Sequence, residues 1–153
     1  KKYPEIIVEE MYVDNAAMQL IRRPEEFDVI VTTNMFGDIL SDEAAIIAGG
    51  LGLAPGANIG DNFALFEPVH GSAPKYTGQR VANPTAMILA SSLMLDWLGV
   101  RYSDQRCCNA SSDVQKAVSE TFVVGISTQD LGGNARTDEF GAEVASRIKV
   151  MKR

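Results

Sequence analysis

Phe27-Asp-Val-Ile-Val-Thr-Thr33 is a run of β-branched residues with no apolar–polar alternation, and Asn34-Met-Phe-Gly-Asp-Ile-Leu-Ser-Asp-Glu43 follows it directly. A strand covered on both faces reads as a near-continuous apolar run, so residues 27–33 are expected to form a core strand. From Phe36 to Ala48 the apolar positions Phe36, Ile39, Leu40, Ala44 and Ile47 recur at helical spacing, and Gly49-Gly50 supplies the stop. A buried strand followed by an amphipathic helix sets the class as α/β.

Upstream, Glu5-Ile-Ile-Val-Glu-Glu-Met-Tyr-Val13 reads as a short strand. Asp14 stands where an N-cap would open a helix from about Asn15 to Arg23, ended by Pro24. Downstream, Leu51-Gly-Leu-Ala-Pro-Gly-Ala-Asn-Ile-Gly-Asp61 is dense in turn formers and reads as a loop, followed by a strand from Phe63 to Phe66. A second turn-rich loop covers 68–83. Pro84 then opens a helix carrying Ala86, Ile88, Leu89, Leu93, Met94 and Trp97 as far as Gly99. A further helix spans Cys107 to Phe122, Gln129-Asp-Leu-Gly-Gly133 is a loop, and Phe140, Val144, Ile148 and Met151 mark a closing helix. Three short strands are too little sheet for about five helices, so either the loops bind something or further strands belong to the fold.

Composition narrows the function. The 153 residues are 46% hydrophobic and 22% charged, with 14 basic against 20 acidic side chains and a net charge of −6. That balance gives no electrostatic reason to bind phosphate backbone or an anionic membrane, so neither nucleic acid nor membrane is expected as a partner. The longest apolar stretches, such as 86–95, are about half the roughly 20 residues needed to cross a bilayer. Lys1-Lys2-Tyr3-Pro4 begins no signal-peptide apolar region. Cys107 and Cys108 are adjacent, a spacing that fits neither a structural disulfide nor a zinc site, and they read as reduced thiols of a cytoplasmic protein.

Asp38 and Asp42 are four apart on the expected helix, which puts both carboxylates on one face within about 5–6 Å at Cβ. Like charges at that spacing destabilise a bare helix by a few tenths of a kcal/mol, and a cation would reverse the sign. Two carboxylates with a third from elsewhere suit Mg²⁺ or Mn²⁺, which keep several waters and take remaining ligands from substrate oxygens. A solvated acidic face is the plainer alternative. Asp14 is a third candidate, which spacing alone does not place near the others.

Four segments in order carry more than spacing. Asn34 to Glu43, Gly49-Gly-Leu-Gly-Leu-Ala-Pro-Gly-Ala-Asn-Ile-Gly-Asp61, Leu65-Phe-Glu-Pro-Val-His-Gly-Ser-Ala-Pro74 and Val81-Ala-Asn-Pro-Thr85 together resemble the decarboxylating β-hydroxyacid dehydrogenases. This is the family of isocitrate, homoisocitrate, 3-isopropylmalate and tartrate dehydrogenases, and the likeness covers nearly the whole chain. It implies the C-terminal part of that family's non-Rossmann α/β fold. Residues 1–48 would be the end of the small, dimer-forming domain, and 49–153 the C-terminal half of the large, cofactor-binding domain.

By the same resemblance Asp38 and Asp42 are metal-site aspartates of one subunit, and Asp14 is the aspartate donated across a homodimer interface. The metal, Mg²⁺ or Mn²⁺, would acidify the substrate hydroxyl for hydride loss and hold the enolate as CO₂ departs. No G-x-G-x-x-G fingerprint occurs. The resemblance instead makes the loop around the chain's only His the adenosine-binding segment, with His70, Gly71, Ser72 and Ala73 toward the adenosine. Asn83 would hydrogen-bond adenine, Glu67 would point to the nicotinamide end and Asp130 would close the pocket.

Members that use NAD typically carry an acidic residue and Ile where this chain has Lys75-Tyr76. An ammonium and a phenol suit a 2′-phosphate, which argues for NADP, while Thr128 to Gly133 looks like the NAD-type loop. The acid/base Lys and its Tyr partner lie upstream of the matching segment, so no catalytic residue of that kind is expected here and the chain alone should be inactive. Isocitrate is the expected substrate. Homoisocitrate and 3-isopropylmalate are the alternatives, as is a noncatalytic regulatory subunit of the same family.

Overall fold

In α1 (Val13–Arg22) Ala16 and Leu20 lie four apart and are buried, and in α2 (Asn34–Ile47) Leu40 and Ala45 are buried. These small stripes pack the two helices together. Arg22 in the last turn of α1 complements the negative end of the helix dipole. The helix stops where Arg23 closes a backbone bond to Gln19 O and Pro24 follows. Asp14 is not the N-cap: Tyr12 occupies that place, and the Asp14 carboxylate accepts from the Asn15 amide at 2.8 Å within the first turn.

The computed structural model describes residues 2–150, so Lys1 and Met151 lie outside the described residues. The chain divides after Ile47 into two compact units. In the first unit both expected strands are absent. Residues 5–12 and 27–33 have no regular secondary structure and pair with nothing among the described residues. Ile7 is 90% exposed and Val31 92% exposed. A strand exists only as a member of a ladder, and without a neighbour its backbone groups go to water whatever its propensity.

The second unit is built around α3 (Thr85–Tyr102), which is apolar on most of its circumference and is covered by α4 (Gln105–Val123) and by a hairpin. The hairpin pairs β1 (Pro55–Ile59) with β2 (Ala64–Pro68) in antiparallel register, Gly56 opposite Glu67 and Asn58 opposite Leu65. β1 lies inside the stretch expected to be loop. Its Pro and Gly hide the strand from any propensity reading, and pairing with β2 creates it. The sheet is therefore one two-stranded ribbon and not three separate strands.

Arg101 fastens the hairpin to the end of α3. Its guanidinium donates to the Asp61 carbonyl at 2.7 Å and sits 5.1 Å from the centre of the Trp97 ring, which packs against Phe66. The left-handed residue Ser103 then turns the chain, and Asp104 caps α4 by accepting from the Arg106 amide. The same carboxylate receives the Arg106 side chain, and these hydrogen bonds hold its pKa down at about 2.

The core lies where α3, α4 and α5 (Thr137–Val150) meet. Phe140 is fully buried with Ala117, Val118 and Val144, and Ile88, Leu89, Phe122, Ile126 and Ile148 pack around it. The Phe122 and Phe140 rings are 5.2 Å apart and tilted by 47°. Burying one such side chain contributes about 1.5–3 kcal/mol. Between α3 and α4 the buried Ser92 hydroxyl donates to the Ser111 carbonyl at 3.0 Å, and Gln115 donates to it in turn, so this polar contact is satisfied. Among the described residues no helix is long and apolar enough to cross a membrane.

Candidate functional site

The expected site residues fall into two groups, one in each unit. Asp38 and Asp42 are exposed on α2 at the i, i+4 spacing read from the sequence, and α2 carries no Lys or Arg to neutralise them. Asp14 is exposed at the start of α1. Among the described residues no three His, Cys, Asp or Glu side chains cluster as a metal centre would require. Asp38 and Asp42 thus stand as a carboxylate pair on one helix. Mg²⁺ is commonly held by one or two carboxylates with substrate oxygens and waters, so the pair fits such an ion in chemistry.

The second group surrounds the start of α3. Asn83 is buried, 9% exposed, just before that helix. Its Oδ1 accepts from the Thr85 backbone N–H at 3.0 Å, and its Nδ2 donates to Asp130 Oδ2 at 3.0 Å. The other oxygen of Asp130 accepts from the Thr128 hydroxyl at 2.5 Å. Gly52 closes the cluster: a Cβ there would lie 2.8 Å from Asp130 Oδ2 and 3.0 Å from Asn83 Cβ, so only glycine lets the 51–53 turn come this close. Three segments distant in sequence, at 52, 83 and 128–130, therefore converge.

Glu67 is exposed near the end of β2, in the alternation that buries Ala64, Phe66 and Pro68 partway. The loop beyond it carries the remaining candidates. His70 Nδ1 is 2.9 Å from the Gly71 carbonyl, to which the ring N–H donates. Gly71, Ser72 and Ala73 are exposed, and Ala73 takes the left-handed conformation, φ 43°, that starts a 3₁₀ turn over Pro74–Tyr76. The Lys75 ammonium lies 4.7 Å from the Tyr76 ring centre. Gln79 donates back to the Lys75 carbonyl at 2.8 Å, which steadies that turn.

This loop is tied to the N-terminus of α5. The Thr137 amide donates to the Arg80 carbonyl at 2.9 Å, its hydroxyl donates to the Ala82 carbonyl, and Arg80 pairs with Asp138 at 3.2 Å. The sequence pointed to neither Thr137 nor the Arg80–Asp138 pair, and it placed Gly52 and Thr128 within family-like segments without giving either a role of its own. Each acts across at least 30 residues or through a backbone group, which no local pattern reports, except Thr128, two residues from Asp130.

Among the described residues, a two-stranded ribbon and five helices, with an acidic helix in one unit and a polar, loop-built cluster in the other, make up a partial α/β fold. Residues 1–144 match the family model described as isocitrate/isopropylmalate dehydrogenase, and the chain belongs to that family. It is 53% identical over 151 residues to the isocitrate/homoisocitrate dehydrogenase of Thermus thermophilus, covering 99% of this chain and 43% of that protein. It is 52% identical over 148 residues to the 3-isopropylmalate dehydrogenase of Methanothermobacter thermautotrophicus, covering 97% of this chain and 43% of that one. The crystal structure of isocitrate dehydrogenase from Methylococcus capsulatus superposes with a TM-score of 0.88 at 44% identity, over 97% of this chain and 42% of that chain. The chain thus spans a little over two fifths of the length of these relatives. Nearly equal identity to relatives named for different substrates means that overall identity does not select among them.

Proposed function

We propose that this chain is part of a metal-dependent oxidative decarboxylase that oxidises a 2-hydroxy acid of the malate type with a nicotinamide dinucleotide, isocitrate to 2-oxoglutarate being the reaction of choice. The observation that carries the reading is the exposed Asp38–Asp42 pair on α2, a helix that carries no Lys or Arg, in a chain of this family. Such a pair is electrostatically unfavourable in the bare helix and becomes favourable only when a cation arrives.

In this reading Asp38 and Asp42 hold Mg²⁺ or Mn²⁺, with Asp14 supplied by the partner of a homodimer. The bound ion supplies Lewis acidity to the hydroxyl and carboxylate of the substrate. The chain's own residues place the dinucleotide. Asn83 meets the adenine, the 70–73 segment lies along the adenosine, Asp130 closes the pocket and Glu67 faces the nicotinamide end. Lys75 and Tyr76 favour NADP, because an ammonium and a phenol hydroxyl carried by neighbouring residues are groups that can take up a 2′-phosphate. NAD is the alternative cofactor, and homoisocitrate and 3-isopropylmalate are the alternative substrates.

The full-length protein assayed with Mn²⁺, either cofactor and the three acids in turn tests this directly. Turnover of isocitrate with NADP above all other combinations is expected, and Asp38→Asn should remove most metal-dependent turnover at limiting Mn²⁺ while leaving the fold intact. Unchanged activity of Asp38→Asn would remove the metal assignment. Lys75→Asp together with Tyr76→Ile should move the kcat/KM ratio toward NAD, and an unaltered ratio would remove the phosphate role.

A further inference from the structure

Thr128 is fully buried, yet the dinucleotide reading gives it no task. Its hydroxyl donates to Asp130 Oδ1, while its own carbonyl accepts from the amides of Leu131 and Gly133 at 3.1 and 3.0 Å. The Ala135 amide closes the same loop on the Ser127 carbonyl at 3.0 Å. Gly133 packs so tightly on Ser127 that a Cβ there would collide with it. Thr128 therefore sits on a closed, stiff loop, whereas Asp130 itself is exposed and would otherwise be free to turn to water.

The consequence appears one bond further on. A carboxylate only accepts, so the Asn83 atom facing Asp130 Oδ2 is Nδ2; a backbone N–H only donates, so the atom facing Thr85 N is Oδ1. Both contacts demand the same amide orientation, and a flipped amide would set oxygen against oxygen and N–H against N–H. One Nδ2 hydrogen and one Oδ1 lone pair are not used by these two partners. An amide so fixed keeps one defined donor and one defined acceptor, the two kinds of group with which Asn recognises the amine and ring nitrogen of adenine.

We infer that Thr128 is a positioning residue for base recognition: its hydroxyl holds the Asp130 carboxylate, which keeps the Asn83 amide turned to accept adenine and to discriminate against a 6-oxopurine. This rests on the dinucleotide reading given above. Thr128→Val keeps the side-chain shape and removes the donor, and Thr128→Ser keeps the donor.

The test is fluorescence titration of the full-length protein with reduced NADP and reduced NAD and with their hypoxanthine analogues, alongside steady-state kinetics. The wild type is expected to prefer the adenine form. Thr128→Val should bind it roughly tenfold more weakly, with a raised KM for dinucleotide, an unchanged kcat and a much reduced preference over the hypoxanthine form. Thr128→Ser should restore both affinity and preference. Should Thr128→Val prove too unstable by its Tm, Asp130→Asn, which removes the acceptor-only carboxylate and leaves the Thr85 amide as the one contact of the two that demands this orientation, must show the same loss of base preference.

Wild-type affinity and base preference in Thr128→Val, with Asn83→Ala weakened, would overturn the inference and leave the dinucleotide reading standing. A wild type without base preference would overturn it likewise. No dinucleotide binding by the wild type would bring down the dinucleotide reading and this inference together.

Discussion

Residues 27–33 and 64–68 make an instructive pair. The first, Phe-Asp-Val-Ile-Val-Thr-Thr, is much the better strand former by composition, yet it has no regular secondary structure, no ladder partner among the described residues, and is mostly exposed. The second, Ala-Leu-Phe-Glu-Pro, ends in a proline and still forms β2, because β1 supplies its ladder and Trp97 of α3 receives Phe66. The same contrast separates the two units. Among the described residues, those around α1 and α2 bury the apolar side chains Ala16, Leu20, Leu40 and Ala45 alone, while α3, α4 and α5 close around Phe140. Strand propensity is thus a statement about fitting a half-buried surface, and it has no effect until that surface exists. The chain spans about two fifths of its relatives' length.

The largest consequence of this contrast is expected on dissection. Residues 48–153 should unfold cooperatively by calorimetry, and residues 1–47 should show no cooperative transition, since four buried apolar residues fall short of the conformational entropy of so short a chain. A sharp transition in the shorter piece would break the comparison.

Next in size is Phe140→Ala, expected to cost about 3–5 kcal/mol because the ring is fully buried against Phe122. Val31→Thr, at a site 92% exposed, should change stability by less than about 0.5 kcal/mol in this chain. In the full-length protein the same change should cost about 1–3 kcal/mol if further strands cover Val31. Denaturant titration of both variants checks the pair, and equal small effects of Val31→Thr in both settings would mean that nothing covers residues 27–33.

The smallest effect concerns the α4 cap. Hydrogen bonds from the Arg106 side chain, and then from its backbone N–H, depress the folded-state pKa of Asp104 to about 2. A group whose pKa is lowered by folding stabilises above its ordinary value and loses that contribution as pH falls through the folded value. The Tm advantage of the wild type over Asp104→Asn should therefore be full above about pH 4 and shrink toward pH 2. A constant difference across that window would show that the charge of Asp104 plays no part in capping.

Much of this architecture is legible in order along the chain. The five helices follow from apolar spacing at 3.6 residues and from Pro and Gly punctuation, and they fall close to their expected bounds because helix hydrogen bonds are local. The spacing of Asp38 and Asp42 follows for the same reason, as does the family, whose motifs are contiguous segments. What lies beyond the sequence is whatever depends on a partner far along the chain. β1 exists only against β2, and residues 27–33 stay bare for want of a neighbour.

The site divides in the same way. Asn83 and Asp130 were readable as candidates from the resemblance, each from its own segment. That Asn83 is clamped between Thr85 and Asp130, that Thr128 holds Asp130 from behind and that Gly52 leaves room for both are facts of convergence. Helices and motifs are written in neighbouring residues, whose interactions the covalent chain itself keeps close. Ladders, pockets and the orientation of a single amide depend on contacts between distant segments, and those are chosen by packing and by the requirement that every buried polar group find a partner.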